Sequence, residues 1–372
     1  MKIAILTIVD YNNYGNRLQN YALQNVLEKL GHDVVTVRNY HQFKPNVTTI
    51  QKIRKLFSFS WLKGKVDYVI NKRKQQQRDK ARVSNFLNFT NKYINESQQA
   101  YYNVNDDYGE FNDFDCFVVG SDQVWNYQFR RFSDIDFAGF TSKPKISYAA
   151  SFGVSSIPSR LERFYKTGLS NFFAISVRET AGKELIKSLI NKEPFVALDP
   201  TLLLSKDEWK SLTVNYPAYN EEYILLYFLG EPELETKEYI EYLSTKYNLK
   251  IKILGNPSDK DLWSADPFDF VNLFAQAKIV LTDSFHACVF SIIFNKNFEV
   301  FERNGTNGSM NSRMDTLLHD FHLENRWHRQ GEKPTSTIDY KKVEELLNKR
   351  RNESISFLVE TLSRIEGFVN NG

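Results

Sequence analysis

The chain has 372 residues, 42% of them hydrophobic, and its 48 Lys and Arg against 45 Asp and Glu give a net charge of +3. That length exceeds one ordinary hydrophobic core and predicts two domains. Two cysteines, Cys116 and Cys288, cannot build a disulfide framework, and no apolar run approaches the roughly 18 residues of a membrane span.

Residues 2–9 read as a buried first strand, since a patterned helix follows them and no small-residue cleavage site does. Leu18, Ala22, Leu23, Val26, Leu27 and Leu30 then recur at helical spacing, Gly31 supplies a stop, and 33–37 is a second strand. A strand, helix and strand in that order form a βαβ unit of a parallel sheet. Residues 51–82 carry eleven Lys and Arg against two Asp, a local +9, which leaves −6 for the rest. The plainer reading of this run is a solvated helical face. Its interleaved Phe57, Phe59, Trp61 and Tyr68 also suit contact with the inner surface of a membrane. No nucleic-acid motif accompanies the charge, so nucleic acid is not expected as a partner.

Further strands are predicted at 116–119, 146–149, 173–177 and 195–198, most of them separated by helical patterns. They complete an N-terminal Rossmann-like domain over 1–214, with a basic helical insertion at about 51–95. Ser205 and Glu208 form a capping box, and 215–222, with Pro217, reads as the linker. A second Rossmann-like domain over 223–340 alternates strands at 223–228, 250–254, 279–281 and 298–301 with helices at 234–247, 267–277, 285–294 and 313–321. Within 341–372 runs a long C-terminal helix. The fold class is α/β: two Rossmann-like domains face a cleft at the carboxyl ends of both sheets. No Gly-x-Gly-x-x-Gly or Walker motif is present, which argues against a nicotinamide enzyme or P-loop kinase.

Four loops are predicted to converge on the cleft. The first holds Asn12, Asn13, Gly15 and Asn16, where capping explains one asparagine and hydroxyl binding the others. The second holds Ser121, Asp122, Gln123, Trp125 and Asn126, and polar tips beside an indole suit a sugar. A capped turn with a packed Trp125 is the alternative. The third presents Arg178, which can fork onto a carboxylate or phosphate or instead pair with Glu179. The fourth is the strand-to-helix corner Asp283, Ser284 and His286. An imidazole in the first turn of a helix stands where free N–H groups hold anions. Arg313, at the start of a later helix, is a second candidate cation. His319, His322 and His328 show no partner carboxylate or Cys pattern, so no metal is expected, and Ser284 lacks a Gly-x-Ser-x-Gly elbow.

Taken in order, N-x-Y-G-N-R-L-Q-N-Y-A-L-Q (12–24), G-S-D-Q-V-W-N (120–126), S-Y-A-A-S-F-G (147–153), S-V-R-E (176–179), D-P-T-L-L-L (199–204) and T-D-S-F-H-A (282–287) resemble the polysaccharide pyruvyl transferase family. The resemblance runs from about residue 1 to 320. It implies a GT-B-like fold and transfer of pyruvate from phosphoenolpyruvate to two sugar hydroxyls as a cyclic ketal. It implies that His286 is the general acid/base and that Arg178 holds phosphoenolpyruvate, which is a donor substrate; no cofactor is implied. Many members place arginine two residues before the histidine, where this chain has Ser284. Arg313 is the candidate to restore that charge, and Asp122 or Asp283 to face charge developing on the former enol carbon. The acceptor implied is a glycan precursor on a lipid carrier, handled in the cytoplasm near the inner membrane. Two alternatives stay open: a GT-B glycosyltransferase using a nucleotide sugar, and a non-catalytic glycan-binding component.

Overall fold

The computed structural model describes residues 1–40, 64–303, 311–329 and 337–370. The first part of the chain contributes β1 (Lys2–Leu6), α1 (Tyr14–Lys29), β2 (Asp33–Asn39), α2 (Gly64–Tyr93), β3 (Glu96–Tyr101), β4 (Cys116–Val119), β5 (Lys145–Ala150), α3 (Ser159–Ser170), β6 (Ala174–Val177), α4 (Thr180–Ile190) and β7 (Phe195–Val196). Its seven strands pair in the order β3-β2-β1-β4-β5-β6-β7, every pair parallel. Helices cover the faces, so the central strands are buried beyond the exposed Lys2 and are mostly apolar. β3 is the exception. Its sequence ESQQAY shows no apolar run because it is an edge strand with only Ser97 and Tyr101 buried, and the sequence pattern missed it.

α5 (Lys206–Ser211), capped reciprocally by Ser205 and Glu208, leads to the second part. There follow β8 (Tyr223–Tyr227), α6 (Leu234–Tyr247), β9 (Lys250–Ile253), α7 (Lys260–Ser264), α8 (Pro267–Gln276), β10 (Ile279–Thr282), α9 (Phe285–Ile293), β11 (Asn297–Val300), α10 (Ser312–Asp320) and α11 (Tyr340–Asn370). Four parallel strands pair in the order β11-β10-β8-β9. All nine residues of α9 are buried, as its apolar circumference requires. The whole is the expected GT-B-like pair of Rossmann-like sheets with a long C-terminal helix.

One apolar cluster runs through both parts. Tyr14 of α1 stacks on Phe270 of α8 at 4.9 Å and meets Phe86 of α2 at 5.0 Å, and Phe89 meets Phe268 edge-on at 4.9 Å. Each such ring removes enough surface from water to stabilise by about 1.5–3 kcal/mol. α11 begins against the second sheet, where Tyr340 donates to the carbonyl of Lys296. It ends on the first: Leu198 N–H donates to Ser354 Oγ (3.1 Å), Arg350 to the Val196 carbonyl (3.0 Å), and Phe357 stacks on Phe195.

Of the basic run 51–82, residues 51–63 and the side chains of 64–78 lie outside the described residues. Asp79 and Lys80 are exposed, but Arg82, the last residue of the run, is not part of the expected solvated face. It is 8% exposed and donates to Asn12, to Tyr14 Oη at 2.7 Å and to the Trp263 carbonyl at 2.9 Å. Among the described residues no helix is long and apolar enough to cross a membrane.

Candidate functional site

The first sheet reverses its winding between β1 and β4, and the second between β8 and β10, so their carboxyl-end loops are where ligands bind in such sheets. Gln19 of α1 ties the first two loops together. It accepts from Ser121 N–H at 3.1 Å and donates to Thr7 Oγ1 at 3.0 Å, while Thr7 donates to the Ser121 carbonyl at 2.9 Å. Gly120 is required here: its φ is +119°, and a Cβ would stand 2.3 Å from the Tyr148 carbonyl. Asp122 follows with φ 69°, a left-handed turn that swings its carboxylate into the cleft.

Five ionisable side chains meet there: Arg178, Asp199, Asp122, His286 and Arg313. Arg178, carried from the end of β6, donates from Nη1 to Asp199 Oδ2 at 2.8 Å, and its Nη2 lies 3.5 Å from Asp122 Oδ1. Its guanidinium lies over the Phe285 ring at 4.5 Å. His286 crosses from the second sheet and places Nε2 3.6 Å from Asp199 Oδ2, an ion-pair contact too long for a hydrogen bond. Asn16 Nδ2 donates to the other oxygen of Asp122 at 3.2 Å. Arg313 of α10 closes the group. Placed with its oxygen toward Arg313, the Gln123 amide accepts from Nη1 (3.2 Å) and Nη2 (3.3 Å).

The electrostatics follow from burial and pairing. Burial alone would push the Asp199 carboxyl up, but the His286 and Arg178 charges and the Thr201 hydrogen bond outweigh it, so it is held well below the usual range. Burial is likewise overcome at Asp122 by Arg178, His286 and Arg313, and its carboxyl is lowered. At Arg178 burial opposes the charge while Asp199, Asp122 and Glu179 reinforce it, and the guanidinium is raised. Arg313, by contrast, is lowered to about 10, by burial and then by repulsion from Arg178. Several polar atoms here are buried without hydrogen-bond partners: Arg178 Nε and Nη2, Arg313 Nε, His286 Nε2 and Glu179 Oε2. Such groups are rare and costly, and a cluster of them, mostly N–H donors of cations, fits an anionic ligand. α9 adds the N–H groups of its first turn, since Ser284 at its N-cap makes no side-chain cap.

The structure thus gathers His286, Asp122, Arg178, Arg313, Asn16 and Gln123, with Gly15 lying against the imidazole. Other expected ligands have different work. Asn13 caps α1 by accepting from Asn16 N–H at 3.1 Å. Ser121 is fully buried and bonds the Ala149 carbonyl, and Asn126 is 1% exposed and accepts from Gln128 N–H. Trp125 corrects the stacking idea. It is wholly buried, donates to the Asp136 carbonyl at 2.9 Å, and packs against Phe137, Phe152 and Phe172. Asp283 is a clamp: its oxygens accept from Leu229 and Gly230 N–H and from Arg303 Nε, at 2.7, 2.9 and 3.1 Å. Of the two expected carboxylates, that leaves Asp122 facing the arginines. Ser284 is buried, its N–H bonded to Thr282 Oγ1.

The anticipated Arg178–Glu179 pair is not made. Glu179 turns to the N–H groups of Phe152 and Gly153 and to Ser151 Oγ. Two histidines do have carboxylates, brought by the fold: His328 lies 2.9 Å from Glu299, and His319 lies 2.9 Å from Glu324. Sequence reasoning missed Asp199, whose signal was an Asp-Pro directly after a strand, and Arg303, which had none. Next to Asp283 and Arg303 opens a cleft of about 230 Å³ at the end of the second sheet, rimmed by Glu231, Glu233, Glu235 and Glu302.

Comparison with known proteins gives a family match: the family model described as Polysaccharide pyruvyl transferase matches residues 13–304. The sequence matches none of the curated proteins compared with it. Among solved structures, the chain is similar to the UDP-GlcNAc 2-epimerase of Methanocaldococcus jannaschii, at 13% identity over 98% of this chain and 100% of that one, with a TM-score of 0.49. The UDP-GlcNAc 2-epimerase of Neisseria meningitidis, bound to UDP-GlcNAc, gives 12% identity over 98% and 100%, with a TM-score of 0.48. The ADP-heptose LPS heptosyltransferase II of E. coli gives 11% over 95% and 99%, with a TM-score of 0.36.

Proposed function

Because the chain belongs to the polysaccharide pyruvyl transferase family, we propose that it moves pyruvate from phosphoenolpyruvate onto two hydroxyls of one sugar, as a cyclic ketal. The observation that carries this reading is the buried Arg178, whose Nε and Nη2 make no hydrogen bond, in one cluster with Arg313, Asp122 and His286. Phosphoenolpyruvate bears a carboxylate and a phosphate close together, and both need N–H donors. Arg178 takes one of these anions in a fork. Arg313 and the start of α9 take the other, in place of the arginine that Ser284 replaces.

Chemistry then follows from the imidazole. His286 gives a proton to the methylene carbon, which becomes methyl, as the first sugar hydroxyl bonds to the adjacent carbon. Positive charge growing on that carbon faces Asp122. The proton of the first hydroxyl returns to His286. The second hydroxyl then displaces phosphate, which leaves with that hydroxyl's proton. One donor and one diol give one ketal and one inorganic phosphate. A positioned acid/base of this kind contributes on the order of 10²–10⁴-fold.

The acceptor in this reading is a cell-surface glycan precursor on a lipid carrier, met in the cytoplasm at the inner membrane. The glutamates around the second-sheet cleft disfavour a nucleotide diphosphate there, which weighs against the glycosyltransferase alternative. Incubation with phosphoenolpyruvate and a lipid-linked oligosaccharide acceptor tests the reading by release of inorganic phosphate. Nucleotide release from a nucleotide sugar would replace it with the glycosyltransferase. Neither product would leave a glycan-binding component.

A further inference from the structure

Asp199 takes no part in the steps above, yet it contacts both the arginine and the imidazole that do. It follows β7 and is 1% exposed. Oδ1 accepts from Thr201 N–H (3.0 Å) and Oγ1 (2.7 Å), which fixes the carboxylate from behind. Oδ2 accepts from Arg178 Nη1 at 2.8 Å and from Ser121 Oγ at 3.4 Å, and lies 3.6 Å from His286 Nε2. The first two partners belong to the first sheet and the third to the second.

We propose that Asp199 is a positioning residue of pyruvyl transfer: it aims the free edge of Arg178 at the donor and steadies the protonated His286 across the seam between the sheets. The inference rests on the donor reading above. A guanidinium needs two constraints to fix its plane. Here Phe285 lies under one face at 4.5 Å and Asp199 holds Nη1, so the edge bearing Nε and Nη2, which makes no hydrogen bond and has only the 3.5 Å ion contact of Nη2 with Asp122, is left to donate to an anion. The same oxygen is the nearest carboxylate to the imidazole. The same cluster holds Asp122, Arg178 and Arg313, and Asp283 and Arg303 stand beside Arg313 at the next corner of the second sheet. With Asp199 neutral, a protonated imidazole loses its nearest carboxylate while both arginines of the cluster remain.

Asp199→Asn keeps the shape and the Thr201 bonds. It is expected to lower kcat for phosphate release by about tenfold or more while KM for phosphoenolpyruvate does not rise, because the anion pocket gains positive charge. The alkaline limb of its pH–rate profile moves to lower pH. Thr201→Val, which loosens the carboxylate without removing its charge, lowers kcat by less and leaves that limb in place. A kcat within twofold of wild type, or a rise in KM that accompanies a lowered melting temperature, overturns the proposal in favour of a purely structural ion pair. Calorimetry of phosphoenolpyruvate binding in two buffers of different ionisation heat needs no turnover. Proton uptake on binding should differ between wild type and Asp199→Asn, and equal uptake also overturns it. A wild type that binds phosphoenolpyruvate but releases no phosphate would sink the proposed activity alone, and the calorimetric comparison would still decide Asp199.

Discussion

Gly15 and His286 meet without room for a methyl group between them: a Cβ built on Gly15 would stand 2.0 Å from Nδ1 of the imidazole. The contact joins the first helix of one sheet to the first turn of a helix from the other. The Gly15 backbone is ordinary helix, so alanine brings a steric penalty and nothing else. Overpacking of this kind costs about 1–3 kcal/mol. Gly15→Ala should therefore lower the melting temperature modestly and phosphate release by about tenfold or more, as the ring is pushed off its place. A variant as active as wild type would show that the ring position is not critical.

His286→Gln keeps a polar side chain but loses the acid/base. Turnover should fall by about 10²-fold or more with the circular-dichroism spectrum unchanged. Near-wild-type turnover would remove the imidazole from the mechanism.

Arg178→Ala strands Asp199 and Asp122 as buried carboxylates, a loss of about 3–5 kcal/mol of stability. Phosphoenolpyruvate should raise the melting temperature of the wild type and leave that of Arg178→Ala unmoved. Arg313→Ala loses part of the shift and breaks no direct ion pair among the described residues, so its stability should fall less than that of Arg178→Ala. Equal ligand-induced shifts in all three proteins would separate both arginines from the donor.

Asp136 gives a pH dependence unconnected with turnover. Burial pushes its carboxyl up to about 6, although Arg131 and the Ser133 N–H pull the other way. In the unfolded chain it titrates near about 4. Between those values the folded protein binds more protons than the unfolded one, so this contribution to stability is complete below pH ~4 and is lost as pH rises through about 6. Asp136→Asn should flatten the fall in melting temperature between about pH 4.5 and 7. A fall as steep as that of the wild type would place its origin elsewhere.

Residues 51–82 give a test that sequence charge alone motivates. Each basic residue close to an anionic bilayer adds about 1 kcal/mol, and salt screens the attraction. The protein should co-sediment with phosphatidylserine-containing vesicles at low salt and be released at high salt. Charge reversal at Lys72, Arg73 and Lys74 should abolish the binding. Failure to sediment at low salt would mark the run as a solvated surface.

What could be read from the sequence depended on the range of the interactions. Period and polarity are local, so the βα corners bearing Asp122, Arg178 and His286 stood out, and so did the capping box at Ser205. Edge strand β3 did not, because its exposed face is polar and only its pairing with β2 makes it a strand. Trp125 misled because its polar neighbours in sequence are not its neighbours in space, where three phenylalanines surround it. Asp199 and Arg303 gain their meaning from partners far along the chain, Arg178 and His286 for one and Asp283 for the other. No single-sequence pattern records such pairs, and only the folded sheets bring them together.

The return of the C-terminal helix has a mechanical consequence. The chain crosses between the two sheets once after α5 and again along α11, whose Arg351 donates to the Leu202 carbonyl at 2.9 Å, a few residues before the first crossing. Two covalent crossings side by side act like the two plates of a door hinge. They resist torsion of one half against the other, and so help to keep Gly15 of the first helix against His286.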